Sequence, residues 1–299
     1  MRGIMQVLGK KWEKGFVLLA DGAWGTEFFK RGLMQGCPPD QWNLDHPEIV
    51  REITREYMEA GADIVLTNTF GANRFRLEPH GLSSRVREIN TTAAGLAREV
   101  VGGSVLVAGD IGPCARFIAL GEVTVNELHG VFAEQADALG KAGVDWIVVE
   151  SMTDAEEMAV AVRAAVETTG LPVVASMTYN KTSKGYRTMM GNTPEECVRK
   201  ATESGASLIG ANCGSGIEDY VPLAPVLREL TALPLWVKAN AGIPQIIGGK
   251  VAYPLTAEQY ASYAPALVAN GVDVIGGCCG TDPFFIRALA SQISSVRRK

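Results

Sequence analysis

The 299-residue sequence predicts an α/β fold, a single (β/α)8 barrel spanning residues 1–299, and three observations carry that reading. Eight apolar, β-rich runs recur along the chain with helical patterns between them. Five of the helical segments open with capping-box spacing, and four end on a similar glycine-containing phrase just before a strand. An alternating βα repeat that fills the whole length without a low-complexity segment is best satisfied by a closed barrel, in which alternate strands supply alternate core layers. An open doubly wound sheet is the rival. Its phosphate-binding Gly-x-Gly-x-x-Gly is missing after the first strand, where the turn reads Gly22-Ala23-Trp24-Gly25.

The expected strands are 16–20, 64–67, 105–108, 146–149, 173–177, 208–211, 235–239 and 272–275. Their continuous apolarity fits parallel strands buried on both faces. Capping boxes are expected at Asp45-x-x-Glu48, Thr124-x-x-Glu127, Thr153-x-x-Glu156, Thr193-Pro194-x-Glu196 and Thr256-x-x-Gln259. The helix after Asp45 places Ile49, Ile53, Tyr57 and Ala60 on one face, as packing on a sheet requires. The terminal phrases are Ala60-Gly61-Ala62-Asp63, Ala142-Gly143-Val144-Asp145, Ser204-Gly205-Ala206-Ser207 and Asn270-Gly271-Val272-Asp273. Each offers a glycine for a left-handed helix cap and leads into an even-numbered strand. Odd strands are entered through phrases such as Gly170-Leu171-Pro172 or Leu233-Pro234.

Bulk properties narrow the function. A hydrophobic content of 47% supports a large core, and no apolar run approaches the roughly 20 residues that span a bilayer. The first residues carry basic side chains but no apolar stretch of signal-peptide length, so a cytoplasmic protein is expected. A net charge of -5 argues against nucleic acid or an anionic membrane as a partner. Six cysteines without a Cys-x-x-Cys do not resemble a secreted disulfide framework.

Barrel enzymes keep their chemistry at the C-terminal ends of strands. Those ends present Asp21 with Gly22, Ala23, Gly25 and Thr26, then Asn68, Asp110, Glu150 and Asn212. The sixth end also carries Cys213, and the eighth reads Gly276-Gly277-Cys278-Cys279-Gly280. Adjacent side chains on an extended strand point to opposite faces, and the flanking glycines permit the kink that would turn both sulfurs to one point. Cys213, Cys278 and Cys279 would then bind zinc and leave its fourth position open, which is the catalytic arrangement. The alternatives are that Cys278 and Cys279 are buried fillers or a redox-active vicinal pair. None of His46, His80 and His129 lies at a strand end, which argues against a histidine-activated nucleophile.

Asp21-Gly22-Ala23-x-Gly25-Thr26, Thr67-Asn68-Thr69-Phe70-Gly71-Ala72-Asn73, Asn212-Cys213 and Gly276-Gly277-Cys278-Cys279-Gly280 together resemble the homocysteine S-methyltransferase family. The second motif is most similar to the homocysteine-binding barrel of cobalamin-dependent methionine synthase. The resemblance implies an enzyme in which Cys213, Cys278 and Cys279 bind zinc and the homocysteine thiol becomes the fourth ligand. It implies that Asp21 and Glu150 hold the amino acid's ammonium, with the backbone of residues 22–26 taking its carboxylate. Trp24 departs from the family, where methionine is commoner. No histidine here has Asp two before and Gly three after, the pattern of a cobalamin-binding module. The expected methyl donor is therefore cobalamin carried on a separate protein. S-methylmethionine or betaine is the alternative within the same chemistry, and a non-catalytic module that only binds zinc or homocysteine is the alternative outside it. Cys37, Cys114 and Cys197 are expected to be dispensable.

Overall fold

Buried on both faces, the apolar runs pair side by side into one parallel sheet. The computed structural model describes residues 15–247, 250–294 and 296. Its barrel strands are β1 (Leu18–Leu19), β2 (Ile64–Leu66), β3 (Leu106–Ile111), β4 (Trp146–Met152), β5 (Val173–Met177), β6 (Leu208–Gly216), β7 (Leu235–Asn240) and β8 (Val274–Gly277). They pair in the order β1-β8-β7-β6-β5-β4-β3-β2. A parallel bridge between Ala20 and Ile64 returns β1 to β2 and closes the ring. The fold is the (β/α)8 barrel, and the open-sheet rival falls.

Around it lie α1 (Trp24–Lys30), α2 (Pro47–Glu59), α3 (Val86–Val101), α4 (Val125–Lys141), α5 (Ala155–Thr169), α6 (Pro194–Glu203), α7 (Ile217–Leu230), α8 (Ala257–Ala261), α9 (Ala264–Ala269) and α10 (Pro283–Ile293). Side chains such as Leu18, Leu66, Val148 and Val174 fill the barrel interior. The largest there are Trp146 and Trp236, fully buried with ring centroids 6.4 Å apart. A second, larger apolar layer lies between strands and helices. Among the described residues no helix is long and apolar enough to cross a membrane.

Thr124, Thr193 and Thr256 each form the expected reciprocal capping box. The other two expected boxes are corrected. Asp154, not Thr153, caps α5, by accepting the Glu156 N–H. Asp45 ends a short helix, and α2 starts instead from His46 with Pro47 in its first turn and no side-chain cap. Proline there leaves one fewer N–H to satisfy. The buried face of α2 is centred on Val50, Ile53 and Tyr57, with Ile49 at its margin.

All four phrase glycines adopt positive φ, from 83° at Gly143 to 102° at Gly61. The aspartates that follow them have a task of their own. Asp63, Asp145 and Asp273 accept the backbone N–H of Leu19, Val107 and Leu235, at 2.8, 2.8 and 2.9 Å. Each ties the entry of an even strand to the odd strand before it. Asp273 is still in that connection, so β8 starts at Val274 rather than Val272.

The end of β8 is tightly packed. A Cβ at Gly277 would lie 2.7 Å from the Thr281 Cβ, whereas one at Gly25 would meet nothing within 4 Å. Gly277→Ala should therefore destabilise the protein by about 1–3 kcal/mol in urea unfolding. Gly25→Ala should stay within about 0.5 kcal/mol of the parent. Equal effects at the two positions would overturn this account of the β8 end.

Candidate active site

Cys213 sits near the end of β6 in the left-handed region, at φ 62°. Its carbonyl accepts a 2.6 Å hydrogen bond from the Tyr220 hydroxyl on α7. On β8 the Gly277 N–H donates to the Asp21 carbonyl, and the Cys278 N–H donates to that of Ala239 on β7. The chain then turns. Thr281 Oγ1 donates to the Cys278 carbonyl at 2.7 Å, and Gly280 takes φ 82° with the Tyr253 side chain where its own would be. The extended alternation is broken at the vicinal pair, and the sulfurs of Cys213, Cys278 and Cys279 all lie within 4.8 Å of one another.

A tetrahedral zinc with Zn–S near 2.3 Å spaces its sulfurs about 3.8 Å apart, within the limit that holds for this cluster. The hydrogen bond with Cys278 is the largest influence on the Cys213 thiol and lowers it, but the bond with Cys279 and burial outweigh it and take the thiol up to about 11. Cys279 is likewise raised to about 12. Such thiols stay protonated at neutral pH unless a cation sits among them. A soft dication supplies that charge and suits a sulfur donor set.

A cavity of about 410 Å³ opens at this end of the barrel. Its wall includes Gly22, Ala23, Trp24, Gly25, Thr26, Asn68, Asp110, Glu150 and all three cysteines. The N–H groups of Trp24, Gly25 and Thr26 form the first turn of α1, which has no side-chain cap. Asp110 and Glu150 are buried, with Asp110 Oδ1 and Glu150 Oε2 lacking any hydrogen-bond partner. Burial, with repulsion from Glu150 next, drives the Asp110 carboxyl well above its ordinary range. Glu150 is raised for the same first reason and is partly offset by Lys238. Two unpartnered carboxyls on one wall call for a cationic hydrogen-bond donor.

Two expected substrate contacts, Asp21 and Asn212, lie behind that wall. Asp21 is fully buried and its oxygens are engaged by the protein: Oδ1 by the Lys238 ammonium at 2.7 Å, Oδ2 by the Leu66 N–H at 2.8 Å and the Trp24 indole at 2.9 Å. Asn212 takes the Ser151 N–H and Ser176 hydroxyl on Oδ1, while its Nδ2 donates to the Ser151 hydroxyl and lies 3.8 Å from Cys278 Sγ. Asn68 lines the cavity, but its Nδ2 is committed to Pro39 and Asn43. That contact holds the short helical segment that starts at Pro39 against the cavity wall.

Sequence reasoning missed Asp40 and Arg76 and gave no site role to the strand-end residues Phe70, Ser151 and Lys238, all on the cavity wall. Lys238 had a signal, a lysine inside the apolar run 235–239. Asp40 had none; burial pushes its carboxyl up to about 6 although Gly71 N–H bonds it at 2.9 Å. The three histidines stay away from the cavity wall.

Fold and site together define a barrel with a zinc-type tris-cysteine centre in its C-terminal mouth. The chain belongs to the homocysteine S-methyltransferase family, whose model, described as "Homocysteine S-methyltransferase", matches residues 18–293. It is 30% identical to methionine synthase of Mycobacterium tuberculosis over 94% of this chain and 25% of that protein. The chain thus spans about a quarter of the length of that relative. Betaine–homocysteine S-methyltransferase 1 of Rattus norvegicus is 27% identical, over 99% of this chain and 76% of its own. The metallated crystal structure of the homocysteine methyltransferase MmuM from Escherichia coli superposes with a TM-score of 0.81 at 25% identity, covering 96% of this chain and 99% of that one.

Replacing Cys213, Cys278 or Cys279 by Ala should abolish stoichiometric zinc, measured by metal analysis of purified protein. Alanine at Cys37, Cys114 or Cys197 should leave it near one per chain. Circular dichroism should be unchanged on chelation, because the core does not include the cysteine cluster, unlike a zinc finger. Full zinc in Cys213→Ala would remove that residue from the ligand set.

Proposed function

We propose that this barrel, as a single functional unit, methylates the thiol of homocysteine to give methionine. The observation that carries the reading is that three sulfurs and two unpartnered carboxyls share one cavity of amino-acid size. Zinc held by Cys213, Cys278 and Cys279 would offer its fourth position to the substrate sulfur and lower that sulfur's pKa. The chain's own groups do the rest. Asp110 and Glu150 receive the ammonium, the first-turn N–H groups of α1 receive the carboxylate, and Trp24 walls the cavity. The substrate's sulfur lone pair forms the new S–CH3 bond as the donor's bond to methyl breaks, and that bond's electrons leave with the donor.

The preferred donor is a methyl-corrinoid carried on a separate protein. Support comes from the second-strand motif and from the similarity to methionine synthases. The near full-length similarity to a betaine enzyme favours, as second reading, a small onium donor such as betaine or S-methylmethionine. Zinc-loaded protein incubated with homocysteine and each donor in turn distinguishes them. Methionine is expected with methylcobalamin. Methionine from S-methylmethionine or betaine alone would reverse the donor and keep the acceptor site. Methionine from none would leave a binding module.

Proton release tests the acceptor chemistry directly. A free thiol has a pKa near 8.5, so homocysteine arrives protonated at neutral pH, and metal ligation requires the thiolate. Homocysteine binding at pH 7 should therefore release close to one proton, counted by calorimetry in buffers of different ionisation enthalpy. Affinity should tighten as the pH rises toward the thiol pKa. A count of zero with pH-independent affinity would overturn the mechanism.

A further inference from the structure

Lys238 is a buried ammonium that the chemistry above does not use. Its stem crosses Gly276, where a Cβ would come 3.0 Å from the Lys238 Cγ, 2.9 Å from the Ala20 Cβ and 2.9 Å from the Asp21 carbonyl. The head thereby reaches from β7 across β8 to the end of β1, where it meets Asp21 Oδ1 at 2.7 Å. The other Asp21 oxygen holds the Leu66 N–H of β2 and the indole N–H of Trp24. Asp21, Asp40, Asp110 and Glu150 thus lie at this end of the barrel, and of these only Asp21 has a salt-bridge partner among the described residues, Asp40 accepting the Gly71 N–H instead.

We propose that Lys238 is a positioning residue for homocysteine. By neutralising Asp21 it withdraws that carboxyl from competition, fixes the Trp24 wall, and leaves Asp110 and Glu150 as the ammonium's destination. Were Asp21 unpaired, the ammonium would have two destinations, and only one would place the sulfur at the cysteine cluster. Glu150 is the next carboxylate after Asp21 in raising Lys238. The ion pair therefore also prevents the reverse fault, in which Lys238 itself would occupy the substrate's place. The inference rests on Asp110 and Glu150 being the ammonium site.

Kinetics with homocysteine separate the possibilities, using zinc-loaded protein and the donor that supports turnover. In Lys238→Met the substrate still finds a carboxylate, but the wrong one, so kcat should fall about 100-fold with KM within about threefold, the signature of misplacement rather than lost binding. In Asp21→Asn the freed Lys238 should turn to Glu150 and raise the homocysteine KM at least about tenfold. The double variant removes both charges and should recover kcat and KM to within about tenfold of the parent, since losing a complete buried pair costs far less than breaking it. Zinc content should stay near one per chain throughout.

A Lys238→Met enzyme with the parent's kcat, or a double variant no better than the single ones, would overturn the proposal. If Lys238→Met does not fold, Asp21→Asn and the double variant carry the same test. Binding of 4-mercaptobutanoate, which is homocysteine without the amino group, tests the underlying reading separately. If Asp110→Asn and Glu150→Gln still prefer homocysteine over it as the parent does, the ammonium site is wrong and this inference falls with it. If they lose that preference but the double variant shows no recovery, the role of Lys238 alone is rejected.

Discussion

Two neighbouring residues on an extended chain point apart, and this site needs two neighbouring sulfurs to meet. The rest of the structure at the barrel mouth follows from that constraint. β8 stops at Gly277, the Cys278 N–H remains in the sheet through the Ala239 carbonyl, and Thr281 folds back onto the Cys278 carbonyl. Thr281 also accepts the Ala23 N–H at 3.2 Å, so the same hydroxyl that shapes the cysteine turn anchors the first-strand loop. Tyr260 reaches both the Ala239 and Gly276 carbonyls and pins β7 to β8 just below the turn. Metal site and substrate wall are therefore set by one shared set of contacts.

Electrostatics divides the mouth into a satisfied part and an unsatisfied part. Asp21, Lys238 and the Trp24 indole form a closed network, as buried charge demands. Asp110 and Glu150 are buried without that completion, and each keeps an oxygen with no partner. Asp110 is nonetheless well placed, since Thr69 Oγ1 donates to its carbonyl at 2.7 Å and Thr67 Oγ1 accepts its N–H at 3.0 Å. A backbone held this firmly under an unpaired carboxyl points to a ligand supplying the missing donor.

What was legible in the sequence was local chemistry. The four phrase glycines could be read because a left-handed cap is a property of one residue and its immediate neighbours. The vicinal cysteines could be read because their glycines surround them. Reading failed where a side chain answers to a distant partner. The Lys238–Asp21 pair joins residues 217 positions apart, and nothing near either shows the other. Asp21 reads as a substrate ligand in the sequence, where a strand-end acid looks the same whether or not the fold gives it a lysine partner. Asn212 is similar: next to a cysteine it reads as a contact, and only the fold shows its amide bonded to Ser151 and Ser176 and near the Cys278 sulfur. The aspartates of the repeated phrase were visible as a pattern, but their acceptor role depends on a strand that only the closed barrel brings alongside.

Cys213 has a consequence beyond its ligand role. It occupies a left-handed backbone conformation that disfavours any residue with a Cβ. A glycine there would relax the chain and delete the sulfur, so drift toward stability and retention of chemistry pull this position in opposite directions. In a lineage relieved of its catalytic duty, codon 213 is where decay should show early, with glycine favoured over other replacements.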